Sequence, residues 1–176
     1  CDERAIYDAT RALYVCDNER VMRSIDLEKF NVFDLDAFGS PWVLAYILAN
    51  RRRVAAGERV AILTTDGAKL NARFGGIERT FAHLAGVKRG DVSAHAKWAT
   101  LTRAGLGRVA DMMGAGVEWV DVRDNFGPSK CQVYSAAAMV GRGQGVGGAL
   151  PVGGGLVAEM PETPVAALGA DCEGQE

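Results

Sequence analysis

The sequence predicts an α/β fold: a mainly parallel sheet covered by helices on both faces and closed by an antiparallel strand. Three observations lead there. Strand and helix patterns alternate along the chain from Leu13 to Met113, the order that builds parallel sheets through helical crossovers. Val60 to Leu63 is an unbroken apolar run, as expected of a strand covered on both faces. The last two strand candidates are joined by Asn125-Phe126-Gly127-Pro128-Ser129, a connection too short for a parallel crossover.

The elements follow in order. Asp2 can cap a helix over residues 3–13, whose apolar positions Ala5, Ile6, Ala9, Ala12 and Leu13 keep helical spacing. Leu13 to Cys16 is a short strand candidate ending at Asp17. A short helix with Val21, Met22 and Ile25 on one face leads to a buried strand from Phe30 to Leu35. Ser40-Pro41 reads as a hydroxyl cap followed by proline in the first helical position. The helix it opens carries Val43, Leu44, Ile47 and Leu48 on one face and ends in Arg51-Arg52-Arg53, read as a solvated helix end. Val60 to Leu63 runs into Thr64-Thr65-Asp66. Residues 71–92 suggest one short helix around Ile77, Thr80, Phe81 and Leu84. A longer helix spans 93–113, and strands follow at 117–123 and 130–140. From Gly141 onward the composition turns to glycine, alanine, valine and proline without a period. The expected organisation is therefore one domain over 1–140 and a mobile tail over 141–176.

Composition bounds the function classes. The chain has 176 residues, 48% hydrophobic and 24% charged, and a net charge of −2. Such a charge supplies no global field for nucleic acid, so any contact of that kind needs a local patch. Cys1, Cys16, Cys131 and Cys172 form no zinc spacing and read as reduced thiols of an intracellular, cytoplasmic protein. No 18-residue apolar run is present, so no membrane span is expected.

In an open α/β sheet, ligands bind beyond the carboxyl ends of the strands. Asp17, Asp34, Asp36 and Asp66 all stand at such ends. Two stretches there carry a resemblance. Asp34-Leu35-Asp36-Ala37-Phe38-Gly39-Ser40-Pro41 is similar to the Asp-Leu-Asp-Pro-Phe-Gly-Ser-Pro segment of tRNA guanine-N2 dimethyltransferases, members of the class I S-adenosylmethionine-dependent methyltransferases. Leu63-Thr64-Thr65-Asp66-Gly67-Ala68-Lys69-Leu70 resembles that family's Thr-Asp-x-Ala-x-Leu stretch. The resemblance covers residues 1–140. Ala37 stands where the family has proline, and the family's C-terminal domain and glycine-rich loop are not matched in the sequence.

The resemblance implies a Rossmann-like methyltransferase sheet whose first strand lies outside this chain. It implies S-adenosylmethionine as cofactor and a nucleic-acid base, guanine N2 of tRNA or another RNA, as methyl acceptor. Methyl transfer to an amine is an in-line displacement, catalysed mainly by holding the reactants close and aligned. Asp36 and the carbonyl of Ala37 would accept the hydrogens of the exocyclic amine. Phe38 would stack on the base, an interaction worth about 1–3 kcal/mol. Gly39 would admit a close backbone approach, and Ser40-Pro41 would fix the exit into the next helix. Asp66 and Arg73 join them as substrate contacts. On the cofactor side, Asp2 is similar to the ribose-binding acid, although it also reads as a plain helix cap. Asp17, with Asn18, is similar to the adenine-contacting pair, or is a turn residue. Asp34 lines the cofactor site or the sheet rim. Either the first strand and its glycine loop lie upstream of this chain, or the remaining strands close up around a gap, in which case the chain is expected to bind cofactor poorly.

Arg73, Arg79, Lys88 and Arg89 gather in one irregular segment, as phosphate contacts or as a solvated face. Trp42, Trp98 and Trp119 read as core or half-buried aromatics. Gly143 to Gly148 fits a GxGxxG pattern, but Pro151 and Gly153-Gly154-Gly155 follow, so no helix opens there as a dinucleotide loop requires. Two other readings stand beside the RNA enzyme: a truncated, non-catalytic module of the same fold that binds RNA or a partner protein, and a DNA base methyltransferase.

Overall fold

The computed structural model describes residues 17–36, 39–124 and 132–143. The helix and strand expected within 3–16, and most of the tail from 141, lie outside the described residues. Helices α1 (Asn18–Ser24), α2 (Trp42–Arg51), α3 (Lys69–Ala72), α4 (Arg79–Ala85) and α5 (Trp98–Met113) accompany strands β1 (Val32–Asp36), β2 (Arg59–Asp66), β3 (Ala115–Asp124) and β4 (Val133–Gly141). Two 3-10 turns, Leu27–Lys29 and Val92–His95, complete them.

The four strands form one mixed sheet in the order β1-β2-β4-β3. β1 and β2 are parallel, and the final strand is antiparallel to both its neighbours. It inserts between β2 and β3, and is the final antiparallel strand that the sequence led one to expect. Among the described residues, two of the three ladders are therefore antiparallel, where a mainly parallel sheet was expected. Pattern alone does not locate a strand within a sheet: Val133 to Val140 alternates equally well at an edge or between two partners.

Among the described residues, only one face of the sheet is covered. Phe33, Leu35, Val60, Ile62, Ala137 and Met139 point to one face and are buried. On the opposite face Val32 is 64% exposed and Trp119 51%, with Leu63 and Tyr134 also open. The apolar run at Val60 to Leu63 reads as covered twice over, yet only its alternate residues Val60 and Ile62 are enclosed.

The covered face packs on an aromatic stack. Trp42 of α2, Phe81 of α4 and Trp98 of α5 lie with ring centroids 4.6 and 4.4 Å apart, all almost fully enclosed. Gly105 of α5 makes room for this stack, because a Cβ there would lie 2.8 Å from the Trp42 ring. Thr64 and Ser135, polar residues on the same face, satisfy each other through a 2.6 Å hydroxyl hydrogen bond between β2 and β4.

Three local expectations change. Ser40 forms no cap: its hydroxyl is buried without a hydrogen-bond partner, and Pro41 takes the position before the first helical residue. The 93–113 helix divides into a 3-10 turn capped by Asp91 and the helix α5. Arg52 is not solvated. It is 1% exposed and ion-paired to Glu28 and Glu58, with Asn31 Oδ1 accepting a further bond. A run of three arginines at a helix end looks uniformly wet in sequence. Only the fold turns the middle one toward two distant carboxylates.

Candidate functional site

β1 ends at Asp36 and β2 at Asp66, so the parallel pair presents both carboxyl ends on one rim. Strand alternation sends Phe33 and Leu35 inward and leaves Asp34 and Asp36 exposed. Beside them α1 begins, capped by Asp17, whose side chain accepts from the Arg20 amide at 3.2 Å. A pocket of about 340 Å³ forms between these elements. Its walls are Asn18, Val21 and Met22 of α1, Asp34, Leu35 and Asp36 of β1, and Leu44 of α2.

Three of the residues singled out in sequence thus meet in one pocket: Asn18, Asp34 and Asp36. Among the described residues, the lining includes two carboxylates and no basic side chain. It can accept hydrogen bonds from hydroxyl or amine groups and favours a cationic ligand. Val21, Met22, Leu35 and Leu44 supply the apolar wall that a ring needs. Asp17 adjoins the pocket through Asn18 but is engaged as a helix cap. Asp2, Ala37 and Phe38 lie outside the described residues.

Gly39 has φ 99°, a left-handed backbone suited to glycine. Its carbonyl accepts from the Gly67 amide at 2.7 Å, which ties the exit of β1 to the exit of β2. Gly39, Ser40 and Pro41 therefore border the rim as a braced turn.

Asp66 does not reach a substrate surface. It is 0% exposed. Its Oδ2 accepts from the indole N–H of Trp42 at 2.8 Å and of Trp98 at 3.2 Å, and its Oδ1 accepts from the Ala68 amide at 2.8 Å. Burial raises its pKa above the ordinary carboxylate value, and the three donors only partly oppose that. Asp66 belongs to the core because β2 directs it toward the covered face, a direction the motif cannot show. Arg73 is also elsewhere. It is exposed at the end of α3 and donates from Nε to His95 Nε2 at 2.9 Å. That bond requires a bare Nε2 on His95, whose pKa is lowered by burial first and then by Arg73 and Lys69.

Two features escape sequence reading. A shallow concavity of about 280 Å³ lies on the open face, lined by Leu63, Thr65, Asp121, Arg123 and Tyr134, and shares Asp34 with the first. The alternation of 117–123 hints at such a face without saying which strands adjoin. Lys69 of α3 pairs with Asp124 at the end of β3, both side chains nearly enclosed. Nothing local in the sequence links them. Among the described residues no acidic, histidine or cysteine cluster has the form of a metal site, and no helix is long and apolar enough to cross a membrane.

No family model matches the sequence, and no curated protein matches it. A solved structure resembles this chain. It is Trm1 from Pyrococcus horikoshii, determined as a complex with S-adenosyl-L-methionine. The likeness has 19% identity and a TM-score of 0.41, over 72% of this chain and 32% of that one. The chain thus spans about a third of that structure's length.

Proposed function

We propose that this chain is part of an S-adenosylmethionine-dependent N-methyltransferase acting on a nucleic-acid base, guanine N2 of tRNA or another RNA. The observation that carries the reading is the convergence of Asn18, Asp34 and Asp36 on one pocket beside the carboxyl end of β1. The lining fits the cofactor: carboxylates for hydroxyl and amine groups, apolar walls for a ring, and acidic surroundings for a sulfonium.

When bound, the cofactor supplies an electrophilic methyl group. The chain's own residues do the rest by positioning. Asp34 and Asn18 would hold polar groups of the cofactor. Asp36, exposed at the end of β1, would accept a hydrogen of the exocyclic amine. This reduces delocalisation of the nitrogen lone pair into the ring and leaves a base beside the proton released on transfer. The Ala37 carbonyl accepts the second hydrogen, and Phe38 stacks on the base.

The test is transfer of labelled methyl groups to RNA, with digestion to nucleosides and identification of the product. In the full-length protein, Asp36→Ala is expected to abolish transfer. Because Asp36 is exposed, its removal should change stability by no more than about 0.5 kcal/mol. Methyl transfer retained by a folded Asp36→Ala protein would refute the assigned role. Transfer to DNA in preference to RNA would refute the substrate.

A further inference from the structure

The segment from Lys69 to Lys97 differs in charge from the rest of the chain. It holds six basic residues against two acidic ones, a net +4 in a protein whose total is −2. Its two acids are occupied by backbone. Glu78 accepts from the Thr80 and Phe81 amides to cap α4, and Asp91 accepts from the Ser93 amide to cap the 3-10 turn. Arg73, Arg79, Lys88, Arg89 and Lys97 are exposed.

Next to Arg73 in this segment stands Phe74, 85% exposed. Leu70, one helical turn before it, and Val92, on the adjoining 3-10 turn, are open as well. Single exposed apolar residues are ordinary on protein surfaces. Three on adjoining elements, within a basic segment, are not explained by packing.

Hydrogen bonds make the surface continuous and firm. Arg73 donates to His95, joining α3 to the 3-10 turn. The Gly90 amide donates to the Gly75 carbonyl at 3.1 Å, and Arg89 donates to the Ile77 carbonyl at 3.3 Å. The turn after Phe74 is thereby pinned against the Lys88–Asp91 loop. A Cβ on Gly75 would come within 3.0 Å of Gly90, so this junction requires glycine. Phe74 thus follows Arg73 on a braced turn that adjoins the basic Lys88–Asp91 loop.

We infer that this surface binds an unpaired nucleic-acid strand, with Phe74 stacking on one base and Arg73 and Lys88 contacting the flanking phosphates. An unpaired strand is specified because a projecting ring can reach only a base whose face is free. Sequence-tolerant stacking with phosphate contacts is the chemistry of such sites. The inference rests on the nucleic-acid reading above and adds a docking surface separate from the acidic pocket. It would hold the strand beside the base being modified.

The experiment measures fluorescence anisotropy of a labelled 12-nucleotide RNA of mixed, unstructured sequence, the DNA of the same sequence, and the RNA duplex. Phe74→Ala is expected to weaken single-strand binding by about 5- to 150-fold, the range for one lost base stack. Phe74→Trp should restore it. Arg73→Gln and Lys88→Gln should each reduce the slope of log affinity against log salt by about 0.7. A preference between RNA and DNA identifies the natural strand; binding of either through Phe74 supports the surface. Unchanged affinity in Phe74→Ala, or equal affinity for the duplex, would overturn the proposal. So would a self-association of the protein that Phe74→Ala abolishes, because the ring would then serve a second copy of the chain. Methyl transfer is measured in parallel. Strand binding through Phe74 without any transfer leaves the surface standing and removes the enzyme reading. Transfer with kcat/KM unaffected by Phe74→Ala does the reverse.

Discussion

Replacing Asp66 by alanine removes the acceptor shared by three buried donors: the indole N–H groups of Trp42 and Trp98 and the Ala68 amide. A buried donor left without a partner costs about 1–3 kcal/mol. The three act as one cluster and relax together, so the sum is taken near its lower end, about 3–5 kcal/mol. That is a large share of a domain stability of about 5–15 kcal/mol. In urea, with a slope of about 2 kcal/mol per molar, the midpoint should fall by roughly 1.5–2.5 M. Asp66→Asn should lose about 1–3 kcal/mol, because its amide must turn an N–H toward one of those donors. The pH dependence adds a sign. A carboxyl whose pKa is raised by folding stabilises most when protonated, below its ordinary value of 3.8. That contribution is lost as pH rises through the raised value. The advantage of wild type over Asp66→Asn should therefore shrink with rising pH across that window. Urea melts of the three proteins across acidic pH check it. A loss under about 1 kcal/mol for Asp66→Ala would refute the claim that this carboxylate organises the core.

Further outcomes concern packing, charge and the pocket. Gly105→Ala should cost about 1–3 kcal/mol, since its methyl meets the Trp42 ring. Gly107→Ala, two residues on with nothing within 4 Å, should gain about 0.5–1 kcal/mol; thermal melts of both distinguish crowding from helix propensity. The Glu58 pKa is lowered first by the Ala55 amide and then by Arg52. Its stabilising contribution is thus present above the ordinary value of 4.5 and lost as pH falls through the lowered one. Arg52→Met should weaken this acid dependence without removing it, because the Ala55 amide remains; acid titrations followed by circular dichroism measure the difference. In the full-length protein, Asp34→Asn should weaken S-adenosylmethionine binding in calorimetry while leaving the melting temperature unchanged; an unaltered affinity would place the cofactor away from this pocket.

Local chemistry accounts for what was legible. The strand at β1 and the helix after Pro41 follow from an apolar run and a proline, both of which act over a few residues. Asn18, Asp34 and Asp36 were likewise readable, because strand ends and helix starts share one rim in an α/β sheet. Asp66 shows the limit. It sits in as suggestive a motif as Asp36, yet β2 turns it inward onto two tryptophans far away in sequence. Arg52 is the same case in reverse, a surface-looking residue drawn inside by Glu28 and Glu58. Phe74 has no motif, and its meaning comes only from exposure. The sequence by itself determined where strands and helices form and which strand ends carry acids, since periodicity and capping are short-range. Tertiary structure alone decided that β4 enters between β2 and β3, that one sheet face stays open among the described residues, and which carboxylate faces solvent. Those outcomes depend on contacts between residues distant in the chain, whose partners no local pattern names.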